Sequence, residues 1–123
     1  MKNEKKKIKN FRDLEIWKKG MEIVKDTYGV TKSFPRQEIF GLRSQMQRSA
    51  ISIPSNIAEG FNRFHNKEYQ HFLYIALGSC AELETQTEIA AELEYLGPDA
   101  KVALLEKLDH ESRMIRNLVK RLD

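Results

Sequence analysis

The sequence predicts an all-α protein, an antiparallel up-down-up-down four-helix bundle with a proline kink in its second helix. Three observations carry that prediction. Apolar residues recur at alternating spacings of three and four through four separate stretches, and no stretch alternates with period two. Helix-stop signals, Pro35 and the pair Gly97-Pro98, fall between stretches. The chain of 123 residues, 41% hydrophobic and 32% charged, has the size of one domain with a single core.

The first helix is expected over about residues 11–33. Leu14, Trp17, Met21, Val24, Tyr28 and Thr31 form a core stripe at helical spacing. A second row, Ile16, Gly20, Ile23, Thr27 and Val30, lies beside it. So wide an apolar and small-residue face exceeds what one core uses, and it predicts contact with a second subunit. Pro35 ends this helix, because the residue before a proline is pushed out of helical geometry.

The second helix is expected over about residues 38–63, with Ile39, Leu42, Met46, Ala50, Ile53, Ile57 and either Phe61 or Phe64 facing inward. Pro54 removes one backbone hydrogen bond, and the apolar period continues across it, so a kink rather than a break is expected. Asn66 is the expected N-cap of the third helix, which runs to about residue 96 and stops at Gly97-Pro98. Tyr69, Phe72, Leu73, Ala76, Cys80, Leu83, Ala90 and Leu93 form its inward face. The fourth helix, about residues 99–122, repeats Val102, Leu105, Leu108, Ile115, Val119 and Leu122. Three short connections make neighbouring helices antiparallel. Gly60 and Gly78-Ser79, set among other small residues, predict a close approach of helices two and three.

Charge is unevenly spread. The formal total is +3, yet residues 1–12 carry +5, residues 13–35 none, residues 36–67 +3, residues 68–97 −6 and residues 98–123 +1. The domain is therefore read as residues 11–123, preceded by a basic flexible tail over residues 1–10. No apolar run is long enough to span a membrane, and no apolar signal segment follows the lysines. Cys80 is the single cysteine, which excludes an intrachain disulfide and fits a reducing cytoplasm.

No catalytic or metal-binding pattern is found, and no cofactor is expected. Glu68 and His71 make one Glu-x-x-His pair, but a dinuclear site in a bundle needs two. No arginine precedes a histidine at the spacing used by helical-bundle ribonucleases of the HEPN type. His71 lies about half a helix turn away in direction from Cys80, so that cysteine is read as buried and inert. Phosphate-binding glycine loops and zinc-finger spacings are absent. What remains is surface charge. Arg48, Ser52, Ser55, Glu59 and Arg63 share a stripe on helix two, extended by Arg43 and Lys67. Guanidinium and hydroxyl groups are phosphate contacts, although Glu59 and Arg63 also form an ordinary i,i+4 pair. Arg12 and the tail lysines Lys5, Lys6 and Lys7 add non-specific phosphate attraction.

Three motifs in order carry a resemblance to a known family: residues 11–17 (FRDLEIW), 52–60 (SIPSNIAEG) and 76–82 (ALGSCAE). They resemble those of the four-helix bundle proteins known as the 23S rRNA intervening-sequence protein family, from about residue 11 to residue 122. The family is similar to the accessory variability protein of diversity-generating retroelements, a basic barrel that binds nucleic acid and a reverse transcriptase. The resemblance implies an antiparallel bundle that assembles into a five-fold ring, and it adds RNA or DNA binding as an expectation. The acidic third helix departs from a uniformly basic barrel.

The combined expectation is a non-enzymatic homo-oligomer that binds RNA or DNA through Arg12, Arg43, Arg48, Arg63, Lys67 and the tail. The alternative is a protein-interaction module that engages itself or a partner such as a reverse transcriptase. Clustering of the named arginines on one continuous face would favour the first reading, and scattering among carboxylates the second.

Overall fold

The computed structural model describes residues 8–123. Within them stand four α-helices and no strand: α1 (Glu15–Thr31), α2 (Leu42–Phe61), α3 (Asn66–Glu92) and α4 (Pro98–Arg121). Short 3₁₀ turns, Phe11–Asp13 and Arg36–Glu38, precede α1 and α2. Each helix packs on its neighbours in chain order and α4 closes onto α1, whereas the diagonal pairs do not meet.

Side-chain hydrogen bonds mark which helix ends meet. Gln47, near the start of α2, donates to Thr31 at the end of α1 (3.1 Å). Tyr95, just past α3, donates to Glu38, just before α2 (3.0 Å). Asn66, opening α3, donates to the carbonyl of Leu122 at the end of α4 (3.2 Å). These pairings agree with the up-down-up-down order expected from the short connections. The core along the axis comprises Ile23, Met46, Ile53, Ile57, Leu73, Leu83, Leu108 and Ile115, all fully buried. Buried threonines are satisfied locally: the hydroxyls of Thr27, Thr31 and Thr87 donate to the carbonyls four residues earlier.

The inward register of α1 differs from the expected one. The second row supplies the core, with Ile16, Gly20, Ile23 and Thr27 buried together with Thr31. Trp17, Leu14 and Val24 are only half-buried, and Met21 and Tyr28 are exposed. Both rows have the same spacing, so periodicity alone could not separate them. Packing decides: a Cβ on Gly20 would sit 3.3 Å from Pro54 Cβ and 3.4 Å from a Glu111 carboxylate oxygen, so α1 seats its smallest residue against α2 and α4. Elsewhere Ile39, Leu93 and Val102, expected inward, are exposed, and Leu104 is buried in their place.

Helix ends also shift. Helix two starts at Leu42, not near residue 38, because the Glu38 carboxylate folds forward to accept the Leu42 N–H (2.8 Å). Gly41 makes room for it, since a Cβ there would lie 2.6 Å from that carboxylate oxygen. The chain stays helical through buried Pro54, so the helix is bent at most and not split. Helix three stops before Gly97-Pro98. Glu94 takes a left-handed conformation (φ 65°), and the N–H groups of Glu94 and Tyr95 close onto the carbonyls of Ala91 and Ala90. Gly97 and Pro98 instead open α4, with proline at the first helical position. Asn66 is the first residue of α3 rather than its cap, which is His65.

The close approach predicted for helices two and three is found at Gly60, where a Cβ would lie 2.9 Å from Phe72 Cβ. It is not found at Gly78, which faces open space. The seam between them is tied by Ser79 donating to Ser52 (2.8 Å).

Of the tail expected over residues 1–10, residues 1–7 with Lys5, Lys6 and Lys7 lie outside the described residues. Lys9 and Asn10 take part in the fold: their backbone N–H groups donate to the Asp13 carboxylate, and the Asn10 side chain caps Arg12 (2.8 Å).

Candidate nucleic-acid interface

Helix order fixes where the basic residues fall. One end of the bundle gathers the start of α1, the end of α2, the start of α3 and the end of α4. Gly60 lies against Tyr69 and Phe72 there, and a groove between α1 and α4 is lined by Leu14, Ile16, Met114, Leu118 and Arg121. A cross-section of the bundle passes through the Gly20–Pro54–Glu111 contact and the Ser52–Ser79 hydrogen bond. On the side of this end, residues 8–20, 52–79 and 110–123 hold ten lysines and arginines and six acids, a formal +4. On the far side, residues 21–51 and 80–109 hold seven lysines and arginines and eleven acids, a formal −4. The described body is neutral in total and polarised along its axis.

The structure divides the expected contact residues. Arg12, Arg63 and Lys67 stand at the basic end. Arg12 is exposed in the first 3₁₀ turn, with its guanidinium 4.6 Å over the Phe11 ring. Arg63 lies in the α2–α3 turn, paired with Glu59 and with its guanidinium carbon 4.7 Å over the Phe72 ring. Lys67 is exposed in the first turn of α3. Arg43 and Arg48 stand in the opposite half, Arg43 half-buried at the start of α2 and Arg48 exposed near its middle. Twenty residues of helix separate Arg43 from Arg63, about 30 Å along the axis. The expected stripe of arginines and hydroxyls is therefore not one surface, and this scattering of Arg43, Arg48 and Arg63 by itself weighs toward the protein-interaction reading. Ser52 is turned into the α2–α3 seam, bonded to Ser79 and Asn56, while Ser55 lines an apolar groove on the α1 side.

Sequence reasoning missed other members of the basic end. Lys120 and Arg121 close α4. Arg121 approaches Tyr69, whose hydroxyl is pushed up to about 12 by burial, an effect the arginine partly offsets. His65 and His71 are exposed beside the α2–α3 turn, and Phe64 at its tip is 98% exposed. Of the two phenylalanines considered for the core, Phe61 packs edge-on against Tyr69 (6.0 Å between rings) and Phe64 does not pack inward. Arg63, Lys67, Glu68, His71 and Phe72 line a groove of about 400 Å³.

Two buried polar groups sit deeper in the bundle. Cys80 is fully buried, its thiol pushed up to about 12, chiefly by burial and partly offset by a hydrogen bond with Ser112. Burial and the raised pKa keep the Cys80 thiol protonated at neutral pH. Glu111 has no solvent exposure, and neither carboxylate oxygen has a protein partner. Among the described residues no group of three His, Cys, Asp or Glu is placed to hold a metal ion. Likewise no helix among them is long and apolar enough to cross a membrane.

The sequence profile of the 23S rRNA-intervening sequence proteins matches this chain over residues 12–117. The chain belongs to that family. A solved member described as a protein of unknown function from the S23 ribosomal protein family of Bacteroides thetaiotaomicron superposes with a TM-score of 0.77. The two share 21% identity, over 85% of this chain and 98% of the other. At that identity the likeness shows the fold alone. No curated protein matches the chain.

Proposed function

We propose that this member of the family is a non-enzymatic, self-associating bundle that binds nucleic acid through its basic end. The observation that carries this reading is the axial charge separation, +4 against −4 in a body that is otherwise neutral. Residues 1–7, with four lysines and one glutamate, join the chain at the same end. Phosphate backbones are attracted by such a concentration of cations without any base contact. The acidic α3 does not oppose this, because its glutamates from Glu82 onward lie in the far half of the bundle. The contact set is Arg12, Arg63, Lys67, Lys120 and Arg121 with the tail lysines, and Arg43 and Arg48 fall outside it. A reducing cytoplasm suits the buried Cys80 thiol.

Self-association rests on a separate observation. Trp17, Met21, Val24, Ile51, Pro54, Ser55 and Ala58 line an open apolar groove between α1 and α2. The outer face of α3 presents exposed Tyr74, Ile75 and Ile89 among Glu82, Glu88 and Glu92. These two faces are unlike, so copies joined through them assemble head to tail, the contact type from which a closed ring such as the five-fold one implied by the family resemblance is built. A partner protein, the alternative reading, would compete for the same groove.

The test is a fluorescence-anisotropy titration of a structured RNA at several salt concentrations. It uses the full chain, a chain lacking residues 1–7, and a variant with Arg12, Lys67, Lys120 and Arg121 changed to alanine. Binding should persist without residues 1–7, weaken steeply with salt, and lose salt dependence in the quadruple variant, by about 0.7 to 0.9 in slope per phosphate contact removed. Changing Arg43 and Arg48 should leave it unaltered. Absence of binding at low salt, or equal loss with the Arg43 and Arg48 change, would overturn the assignment and leave the protein-interaction reading in front.

A further inference from the structure

The α2–α3 turn puts an aromatic ring where a helix bundle has no use for one. Residues 62–65 form a four-residue bend at the basic end, and the ring of Phe64 projects from its tip with 98% of its surface exposed. Its nearest ring neighbour is His65, 6.5 Å away and tilted by 57°. A turn tip ordinarily takes a polar residue, and an isolated phenylalanine there adds nothing to the core. On the same turn and the start of α3 a groove of about 400 Å³ is lined by Arg63, Lys67, Glu68, His71 and Phe72. That volume is in the range of small-ligand sites, and its walls combine ring faces with the cations of Arg63 and Lys67 and the single carboxylate of Glu68. The guanidinium carbon of Arg63 lies 4.7 Å over the Phe72 ring, so its position is set before any ligand arrives. Its partner Glu59 is itself half exposed, and an ion pair so placed yields readily to a phosphate.

We infer that this turn is a stacking platform for an unpaired stretch of nucleic acid, with a base on Phe64 and the flanking phosphates on Arg63 and Lys67. The inference deepens the nucleic-acid reading of the basic end and rests on it. A base in a duplex is stacked on both faces and offers none to a protruding ring. A single strand, or the loop of a hairpin, exposes base faces and lets the backbone follow a basic groove. Stacking accepts any base, so the site selects for strandedness rather than sequence. The molecule supplies its own control. Phe40 is 95% exposed in the turn before α2, in the half of the bundle that carries −4.

The experiment compares labelled single-stranded RNA, single-stranded DNA of the same sequence and the fully paired duplex, titrated with the full chain. Single strands of either sugar should bind more tightly than the duplex. Phe64→Ala should weaken single-strand binding roughly five- to hundredfold, the range that loss of one stacked base produces, and leave duplex binding unchanged. Phe64→Trp should restore it, with the added tryptophan emission quenched by the strand after subtraction of Trp17 in the parent. Phe40→Ala should change neither. Sedimentation of each variant accompanies the titrations. If Phe64→Ala leaves single-strand binding intact, weakens single strand and duplex alike, or acts by changing the oligomer, the platform is refuted while the basic-end reading stands. If no strand form binds at low salt, both fall together.

Discussion

Glu111 sits on the core side of α4 between Leu108 and Ile115, with Gly20 of α1 and Pro54 of α2 close by. Burial raises its carboxyl from an ordinary 4.5 to about 8; nearby Lys19 offsets the rise slightly and Glu22 adds to it. Its folded-state value therefore lies above its unfolded value. The stability it permits is complete below about pH 4.5 and declines as pH rises, until the folded group ionises near 8. Across that window the decline is about 1.4 kcal/mol per pH unit for one proton. Urea unfolding at several pH values between 5 and 9 should show this slope in the parent, and Glu111→Gln should flatten it. Parallel curves for the two proteins would exclude Glu111 as the source. The position was legible in the sequence, three residues from Leu108 and four from Ile115. Its environment was not, because only the fold brings Gly20 beside it.

Within α1, two apolar rows compete for the core and the structure seats the one with Ile23. Ile23→Ala should cost about 2 to 5 kcal/mol of stability, whereas Met21→Ala, on the exposed row, should stay within about 1 kcal/mol. Equal costs in chemical denaturation would reverse the register. At the other end of the chain order, the stop of α3 depends on Glu94 holding φ at 65°. A left-handed residue with a side chain is strained by roughly 1 to 2 kcal/mol, and glycine is not, so Glu94→Gly should raise stability by up to about 1 kcal/mol after its extra unfolded-state entropy is counted. A lower denaturation midpoint for that variant would show that the Glu94 side chain has a stabilising contact. The sequence placed the stop at Gly97-Pro98 because those residues break helices. In the fold they begin the next one.

At the scale of the molecule, the helix order converts a chain-wise charge pattern into an axial one. Five of the six acids of residues 68–97, Glu82 to Glu94, and the cations Lys9 and Arg12 lie at opposite ends because α1 and α3 both start at the basic end. The apolar α1–α2 groove lies on the flank and straddles the middle of the bundle, from Trp17 and Ala58 to Val24 and Ile51. Placing a carboxylate there should disrupt assembly without touching the core: Ile51→Glu is expected to sediment as a monomer with helical content unchanged, while the parent sediments as an oligomer. A monomeric parent, or an unchanged oligomer in the variant, would remove the groove from the interface.

The sequence by itself determined four helices, their order, most of the core of α2 and α3, and the family, since these follow from local period, stop residues and ordered motifs. It also determined that Arg63 and Lys67 are near one another, because few residues separate them. Tertiary structure alone decided which row of α1 is buried, that Arg43 and Arg48 part company with Arg63, and that Lys120 and Arg121 join it. Periodicity specifies which residues share a face of one helix. Which face meets which neighbour, and which ends lie side by side, depends on packing between helices, where a glycine such as Gly20 settles what hydrophobicity leaves equal.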